Sequence, residues 1–217
     1  MPSAPSPPTD PFAALPEPLQ RLARRGERRR FRKGHRLIQE GDAGDTLYII
    51  LSGRVRAFGS NDRDREITYG TYGVGEYLGE MSLDGGVRSA TVETLEPCEC
   101  AVITRQSLQQ HIADNPQFAF ELLAKVIRRA RAATLSAKQL ALNDVYGRLV
   151  LLLNELARPQ ADGTRLIAER PTHREMANRL GCSREMVSRL MKDLEAGGLT
   201  VPRGDGLVLS RPLPSRW

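Results

Sequence analysis

Long apolar stretches are what this 217-residue sequence lacks most clearly. Its apolar runs, such as Leu149–Leu153, are far shorter than the roughly 18 residues of a membrane-spanning helix. The first eleven residues, MPSAPSPPTDP, are rich in proline and serine and lack the apolar core of a signal peptide. We therefore expect a disordered tail at residues 1–11, no membrane partner and a cytoplasmic location.

The sequence is also poor in residues that bind metals or form disulfides. Three cysteines, Cys98, Cys100 and Cys182, cannot make an even disulfide framework. The first two alternate in a strand-like segment, which predicts packing on one side of a strand. The three histidines are scattered, at His35, His111 and His173. We expect no metal site, haem or iron–sulfur cluster and no nucleophile–base pair, so the chain is not predicted to be an enzyme.

Basic residues, in contrast, are abundant. The net charge of +6 permits a polyanionic partner but does not identify one. Nine basic residues lie within positions 21–36 together with a single acid, Glu27. The simplest interpretation of this run is a solvated helix face followed by a loop.

Residues 29–104 contain many short β-like runs separated by turn residues. TLYIILSGRVRAF, residues 46–58, predicts two strands around Ser52 and Gly53, and QEGDAGDT, residues 39–46, predicts a turn. Further strand-like runs follow at intervals close to ten residues. This spacing favours a sandwich or barrel over a parallel sheet.

After Thr104 the pattern becomes helical. Residues 116–142 predict one long helix, whose stripe of apolar and small residues is Leu123, Ile127, Ala130, Thr134, Ala137 and Ala141. Either the β-rich part of the chain or the same helix of a second subunit must cover such a stripe. Asn143 and Asp144 then predict a helix cap, and we place a domain boundary and a hinge there.

The segment PTHREMANRLGCSREMVSRLMKDLEAGGLT, residues 171–200, predicts two short helices joined by a tight turn. Thr172 and Glu175 form a capping-box pattern, and Gly181 supplies the left-handed residue of the turn. Ser183 caps the second helix, which Gly197 and Gly198 end. LTVPRGDGLVLSR, residues 199–211, predicts a hairpin that completes a winged helix.

The second helix of this segment has two chemically distinct faces. At about 100° per residue, one face spans roughly 140° and contains Arg184, Glu185, Ser188, Arg189 and Lys192. The opposite face contains Met186, Val187, Leu190, Met191 and Leu194. Arginine can bond to guanine and glutamate to cytosine in the major groove, so the first face is typical of a DNA-reading helix. An exposed face of salt bridges would not explain the caps, the turn and the wing.

The stretch GEMSLDGGVRSATV, residues 79–92, predicts a cradle for a small phosphorylated ligand. Arg88 can pair with a phosphate and Ser89 can add a hydrogen bond. Glu80 can accept a bond from a ribose hydroxyl, and Gly79 allows the backbone to come close.

With a β-roll, a long helix and a winged helix in this order, the sequence resembles the catabolite activator (cyclic AMP receptor) branch of the Crp/Fnr transcription regulators. The resemblance covers residues from about 12 to 210, and GCSREMVSRLMKDLE nearly repeats the family's recognition helix. Residues 79–89 match the family's phosphate-binding cassette. Arg129 matches the long-helix arginine that supports the cassette glutamate, and Thr134 matches a hydroxyl that reaches the base.

The resemblance implies an α+β fold of four parts. These are a disordered tail (1–11), a jelly-roll-like cyclic-nucleotide-binding β-roll (12–115), a dimerisation helix with a hinge (116–143) and a winged helix-turn-helix domain (144–217). It implies a homodimer regulated by a cyclic nucleotide, cyclic AMP before others, that binds palindromic double-stranded DNA with TGTGA-like half-sites. In these half-sites Arg184 and Arg189 would contact guanines and Glu185 a cytosine. The remaining DNA-binding candidates are Thr172, His173, Ser183, Ser188 and Lys192.

Two departures from the family pattern bear on the effector. Ala133 stands where cyclic-AMP activators carry a base-contacting threonine, and the spacing from Glu80 to Arg88 is short. Cyclic GMP, cyclic di-GMP or no effector therefore remain alternatives, as does an architectural DNA-bending protein with a degenerate pocket. The loop RPQADG, residues 158–163, occupies the place where family activators contact RNA polymerase, which implies this partner also.

Overall fold

The computed structural model describes residues 10–62 and 65–214. Its helices are α1 (Glu17–Ala23), α2 (Arg105–Asp114), α3 (Gln117–Leu142), α4 (Val145–Leu156), α5 (His173–Leu180) and α6 (Arg184–Ala196). Its strands are β1 (Glu27–Phe31), β2 (Arg36–Ile38), β3 (Leu47–Ser52), β4 (Val55–Ser60), β5 (Glu66–Tyr72), β6 (Tyr77–Leu78), β7 (Thr91–Thr94), β8 (Cys98–Ile103), β9 (Arg158–Pro159), β10 (Arg165–Ile167), β11 (Thr200–Arg203) and β12 (Gly206–Leu209). The predicted α+β class is confirmed.

These elements are divided between two compact units. The first comprises the described residues of Met1–Gly59 and Thr68–Arg131, and the second those of Ser60–Ile67 and Ala132–Trp217. Within the described residues, no helix is long and apolar enough to cross a membrane. The same residues contain no group of three or more His, Cys, Asp or Glu side chains that could hold a metal ion.

Two four-stranded sheets form the β-rich part of the chain, with strand orders β1-β8-β3-β6 and β2-β7-β4-β5. Strand β8 lies between β1 and β3 and pairs antiparallel with both, so most of its side chains are buried. Cys98 and Cys100 both lie in the core against Val55 and Ala57, as the packing interpretation predicted. Burial raises the pKa of the Cys100 thiol to about 12, which keeps it in the unreactive neutral form.

The N-terminal segment is tied to this core. Residues 1–9 of the predicted tail lie outside the described residues, whereas Asp10 accepts a hydrogen bond from the backbone N–H of Phe12 (3.0 Å) and pairs with Arg24. Phe12 and Leu15 are buried in the cluster that α1 forms with the sheet. The guanidinium of Arg24 lies 4.8 Å from the centre of the Phe12 ring, a cation–π distance.

The basic run at positions 21–36 forms the end of α1 and all of β1. The interpretation as helix face and loop is wrong for residues 27–31, because these residues pair with β8. Arg28 and Arg30 on β1 both pair with Glu99 on β8, a cross-strand arrangement. Acidic neighbours therefore balance part of the charge of this run.

The long helix and the cap that follows it are present as predicted. Helix α3 matches the expected range of 116–142 to within one residue, and Asp144 caps α4 by accepting a bond from the backbone N–H of Gly147 (2.7 Å). Arg148 in α4 donates to the carbonyl oxygens of Asn143 (2.7 Å) and Leu180 (3.1 Å). Arg148 thus joins the α3–α4 connection to the end of α5.

Candidate functional site

The cassette at residues 79–92 begins with a tight backbone approach. Gly79 has φ 97° and precedes a 3₁₀ helix at Glu80–Ser82. A Cβ atom at Gly79 would lie 2.4 Å from the carbonyl oxygen of Thr46 and 2.7 Å from Nη1 of Arg88. Only glycine satisfies both the left-handed conformation and the lack of space here.

Glu80 is buried and points toward α3. One oxygen, Oε1, pairs with Arg129, which also donates to the carbonyl oxygen of Tyr77 (2.9 Å) and lies 4.9 Å from the centre of the Tyr72 ring. The other oxygen, Oε2, is buried and has no hydrogen-bond partner within the part of the chain that the structure describes. A buried carboxylate oxygen without a donor costs free energy, and a ligand hydroxyl would satisfy it.

Arg88 is only 6% exposed, and neutral oxygens surround its guanidinium. Nη1 donates to the carbonyl oxygen of Gly79 (3.0 Å) and to Oγ of Ser82 (2.9 Å). Nη2 donates to the carbonyl oxygen and to Oγ1 of Thr46, both at 2.9 Å. We call these four acceptors the Arg88 seat.

The charge of Arg88 is not neutralised by a close carboxylate. Among residues 10–62 and 65–214, no Asp or Glu oxygen lies within 4.0 Å of its guanidinium, although Asp45 and Glu80 act on it at longer range. Burial lowers the pKa of Arg88, because the charged form loses hydration. A buried cation that has only neutral acceptors attracts an anion, so this geometry fits the phosphate of a nucleotide.

Further basic character comes from α3. Nζ of Lys125 lies 3.8 Å from the centre of the Tyr77 ring, and burial lowers the pKa of Lys125 to about 8, with Arg129 adding to the effect. Burial raises the pKa of Tyr77 to about 12. Lys125 therefore carries most of its charge at neutral pH, beside the Glu80–Arg129 pair.

The predicted ligand residues fall into three groups. Gly79, Glu80, Arg88 and Arg129 come together in the first unit. Ser89 is exposed and its hydroxyl donates to Sδ of Met81 (3.6 Å). The last two, Ala133 and Thr134, are exposed residues of α3 that belong to the second unit.

Sequence reasoning missed three residues of this site. Gly44 was assigned only to a turn, Thr46 to the junction of that turn and a strand, and Ser82 to the cassette without a role. The signal that was available is the glycine at position 44, where a Cβ atom would lie 2.6 Å from Nε of Arg88. Their contacts with Arg88 depend on the pairing of distant segments, such as the bond from the Arg88 backbone N–H to the Asp42 carbonyl oxygen (2.8 Å).

The predicted helix-turn-helix signals are present in the second unit. Thr172 and Glu175 form a reciprocal capping box at the start of α5, and Gly181 ends α5 with φ 66°. The hydroxyl of Ser183 accepts a bond from the backbone N–H of Met186 (3.2 Å) at the start of α6. These contacts satisfy backbone donors that a helix start leaves open.

Helix α6 presents the two faces that the helical wheel predicts. The polar face is exposed along its length, at Arg184, Glu185, Ser188, Arg189 and Lys192. On the other face Val187, Met191 and Leu194 are buried in the core of the unit, and Met186 and Leu190 are partly buried. The polar face is therefore accessible to DNA while the apolar face fixes the helix.

His173 adds a titratable group at the start of α5. Nη2 of Arg170 lies 2.7 Å from Nε2 of His173, so the ring nitrogen accepts and the imidazole is neutral. Burial, Arg170 and Arg184 together lower the pKa of His173 below its usual range. Thr172, next to His173, is exposed, but its hydroxyl already accepts the hydrogen bond of the capping box.

The predicted wing is also present. Strands β11 and β12 pair antiparallel, with Arg203 opposite Gly206, and Gly204 adopts φ 59° in the turn. They belong to a sheet of order β11-β12-β10-β9. The loop at residues 158–163 forms the short β9–β10 hairpin, which was not predicted.

Helix α3 leaves its predicted stripe exposed. All six residues of the stripe are exposed, among them Leu123 (55%) and Ile127 (41%). Leu135 and Leu142 add further exposed apolar surface on the same helix. Within the described residues of the first unit, the β-rich part of the chain therefore does not cover Leu123 and Ile127.

Comparison with known families agrees with this geometry. Residues 28–115 match the cyclic nucleotide-binding domain, and residues 147–212 match the Crp-like helix-turn-helix domain. The first match contains the cassette, and the second contains the polar face of α6.

Individual proteins show the same similarity over most of the chain. The CRP-like protein Clp of Xanthomonas euvesicatoria pv. vesicatoria is 35% identical over 203 residues, which cover 88% of this chain and 87% of that protein. The solved structure of CLP from Xanthomonas campestris, described as a c-di-GMP-responsive global regulator, is 32% identical with a TM-score of 0.77 and covers 88% of this chain and 97% of that one. The catabolite activator protein of Thermus thermophilus is 30% identical with a TM-score of 0.54, covering 92% and 93% of the two chains. The chain therefore belongs to the Crp family of cyclic-nucleotide-binding, helix-turn-helix transcription regulators, which are not enzymes.

Proposed function

We propose that this regulator works as a homodimer on palindromic DNA and that a cyclic nucleotide sets its affinity for DNA. The observation that carries the proposal is that the cassette combines a buried carboxylate oxygen that lacks a donor with a buried cation that has only neutral acceptors. Within the described residues, Oε2 of Glu80 has no donor and the buried Arg88 has no carboxylate within ion-pair distance. An acceptor for a hydroxyl and an unneutralised cation together suit the ribose and phosphate of a nucleotide.

The residues of the cassette favour cyclic AMP as the effector. In this assignment Glu80 accepts a bond from the ribose hydroxyl, Arg88 and Ser89 bind the phosphate, and Thr134 contacts the purine, as the match to the family's cassette implies. Cyclic di-GMP is a second candidate on two observations. Ala133 lacks the hydroxyl of a base contact, and the similar Xanthomonas campestris regulator is described as c-di-GMP responsive.

A second copy of this chain is the proposed cover for the α3 stripe. Burial of exposed leucine and isoleucine side chains against the same helix of a partner removes apolar area from water, and the alanines allow the two backbones to approach closely. A two-fold dimer also matches palindromic DNA. Its two α6 helices then read half-sites about 34–36 Å apart, one turn of the duplex.

Recognition of TGTGA-like half-sites is assigned to the polar face of α6. Arg184 and Arg189 carry the planar donors that bond to guanine, and Glu185 carries the acceptors for cytosine. Burial of the opposite face holds these side chains in a fixed register. A regulator of chromosomal DNA acts in the cytoplasm of a bacterium, and the β9–β10 hairpin remains the proposed contact with RNA polymerase.

The coupling between the two functions requires a difference in ligand affinity. A nucleotide shifts the protein toward the DNA-competent state only if it binds that state more tightly. Arg129 connects the cassette glutamate to α3, and Arg148 connects the proposed hinge at Asn143 to the end of α5. Arg129, in the middle of α3, and Arg148, which contacts Asn143 just after α3 ends, are the proposed mechanical links.

A nucleotide titration on a TGTGA palindrome tests this function directly. We expect one of cyclic AMP, cyclic GMP and cyclic di-GMP to increase DNA affinity in a mobility-shift assay, both in the unmodified protein and in Arg32→Leu, an exposed control. Arg88→Leu should abolish the response. Unchanged DNA affinity with all three nucleotides would contradict the proposal. Similar affinity across sequences and a steep salt dependence would then indicate an architectural DNA-bending protein.

Base reading by α6 requires a separate experiment. Arg184→Ala should cost about 1–3 kcal/mol of specific binding and relax the preference at one base position. Lys138→Ala, at an exposed position of α3, serves as the control and should leave specificity intact. An unchanged preference in Arg184→Ala would show that α6 does not read the site in the proposed register.

A further inference from the structure

The Arg88 seat raises the question of how a buried guanidinium with its Nη donors already engaged could bind a phosphate. An arginine has five N–H donors, and four of them are directed at Thr46, Gly79 and Ser82 at 2.9–3.0 Å. The fifth is on Nε, which lies close to Gly44. A two-bond contact with a phosphate therefore needs at least one of the seat oxygens to give up its bond.

We propose that the seat is a resting position, that Thr46 is the positioning residue that holds Arg88 there, and that the phosphate of the effector displaces the Thr46 contacts. The inference rests on the proposed cyclic-nucleotide function and deepens it. Thr46 supplies two of the four acceptors, both to Nη2, whereas Gly79 and Ser82 share Nη1. Release of Nη2 alone frees the paired donors that a phosphate requires.

The exchange is favourable because of the charges involved. The seat offers only neutral oxygens, and a hydrogen bond from a cation to an anionic oxygen is roughly twice as strong as one between neutral groups. The binding free energy of the phosphate is reduced by the free energy of the hydrogen bonds that Arg88 loses when it leaves the Thr46 oxygens. A weaker seat should therefore give a tighter complex.

Gly44 makes the resting position possible. A Cβ atom at this residue would lie 2.6 Å from Nε and 2.8 Å from Nη2 of Arg88, closer than such atoms approach. The φ of Gly44 is outside the left-handed region, so the backbone accepts alanine. Gly44→Ala should push the flexible guanidinium out of the seat while leaving every seat oxygen in place.

Displacement of Arg88 from the seat also affects the contact between the cassette and α3. Ser82 and Glu80 belong to the same 3₁₀ turn, and Glu80 pairs with Arg129 of α3. The hydroxyl of Ser82 donates to the carbonyl oxygen of Gly79 (3.1 Å) as well as accepting from Arg88. Because Nη1 keeps its bond to Ser82 when Nη2 is released, a movement of Arg88 is transmitted to the turn that positions the cassette glutamate.

Calorimetry on the full-length protein tests the displacement, with cyclic AMP and cyclic di-GMP as probes. Thr46→Val keeps the shape of the side chain and removes one acceptor, and we expect nucleotide affinity about tenfold higher than in the unmodified protein. Gly44→Ala should increase affinity in the same direction. Thr94→Val is the matched control, because its buried hydroxyl bonds to the backbone of Arg32 and His35 away from Arg88. It should leave nucleotide affinity unchanged.

Weaker or unchanged nucleotide binding by Thr46→Val would overturn the inference, since Thr46 would then support Arg88 in the bound state. A ligand-free measurement separates this failure from failure of the proposed function. A double-mutant cycle of Thr46→Val with Arg88→Met should show a coupling of about tenfold in the folding equilibrium. If no protein binds either of these nucleotides or cyclic GMP, the proposed function is wrong and this cycle alone decides on the seat. Absence of coupling in this cycle would refute the proposal that Thr46 holds Arg88 in the seat.

Discussion

The Glu80–Arg129 pair gives the sharpest test of how the cassette is held against α3. Arg129→Met removes the guanidinium but keeps an unbranched apolar side chain of similar reach. The carboxylate of Glu80 then loses the partner of Oε1, while Oε2 already has no donor among the described residues. Among the described residues, the variant therefore leaves the buried carboxylate without a hydrogen-bond donor.

The size of the effect follows from the burial of the two side chains. The Glu80 side chain is 1% exposed and that of Arg129 is 18% exposed. Removing one member of a buried pair costs about 3–5 kcal/mol, and the partial exposure of Arg129 lets water approach, so we expect about 3 kcal/mol. That cost corresponds to a decrease in Tm of roughly 6–12 °C. Combining Arg129→Met with Glu80→Gln should recover most of this loss.

Scanning calorimetry and urea unfolding followed by circular dichroism provide the measurement. Arg128→Met, an exposed neighbour on the same helix, is the control and should change Tm by less than about 2 °C. A loss below about 1 kcal/mol in Arg129→Met would refute the reasoning. So would a double variant as unstable as Arg129→Met alone, because the cost could not then come from the unpaired carboxylate.

Three further predictions concern other parts of the chain. Thr172→Ala should lower the free energy of unfolding by about 1 kcal/mol, because the capping box is lost. Arg148→Met should weaken DNA binding about tenfold in a mobility shift, because the links to Asn143 and Leu180 disappear, and should leave nucleotide affinity unchanged. Burial, Arg25 and Arg21 lower the pKa of His111, so stability should fall as pH decreases below about 6.5, and His111→Leu should reduce that dependence in urea unfolding.

Each of these three predictions has a defined contrary result. The sign for His111 follows from proton binding: the unfolded state binds the proton first, so acid favours unfolding. Stability that rises on acidification would contradict it. If Arg148→Met binds DNA as tightly as the unmodified protein, the bonds of Arg148 to the carbonyl oxygens of Asn143 and Leu180 do not contribute to DNA binding. An unchanged Tm in Thr172→Ala would show that water replaces the cap.

Local patterns could be read from the sequence with good accuracy. Pro116 and the 3.6-residue period defined α3, and the caps of α5 and α6 were visible as Thr172 and Ser183. These features depend on residues three or four positions apart. The alternation of Cys98 and Cys100 likewise placed both thiols in the core.

Contacts between residues far apart in the chain could not be predicted from the sequence. The seat of Arg88 joins residues 42 positions apart, because the turn before β3 pairs with the end of the cassette. The assignment of residues 27–31 failed for the same reason. A run of arginines has low apolar content, and its backbone pairing with the distant strand β8 is what makes it a strand. Helix α2 was not predicted, and its buried His111 packs edge-on against Phe118.

The turn at Asp10–Phe12 has a consequence for where the protein can be shortened. Phe12 and Leu15 fill the same apolar cluster as Leu19 and Leu22, so a version starting after Leu15 would open that cluster to water. A version starting at Asp10 keeps the whole cluster and the contact with Arg24. Any shortened version of this protein therefore has to retain residues 10–15.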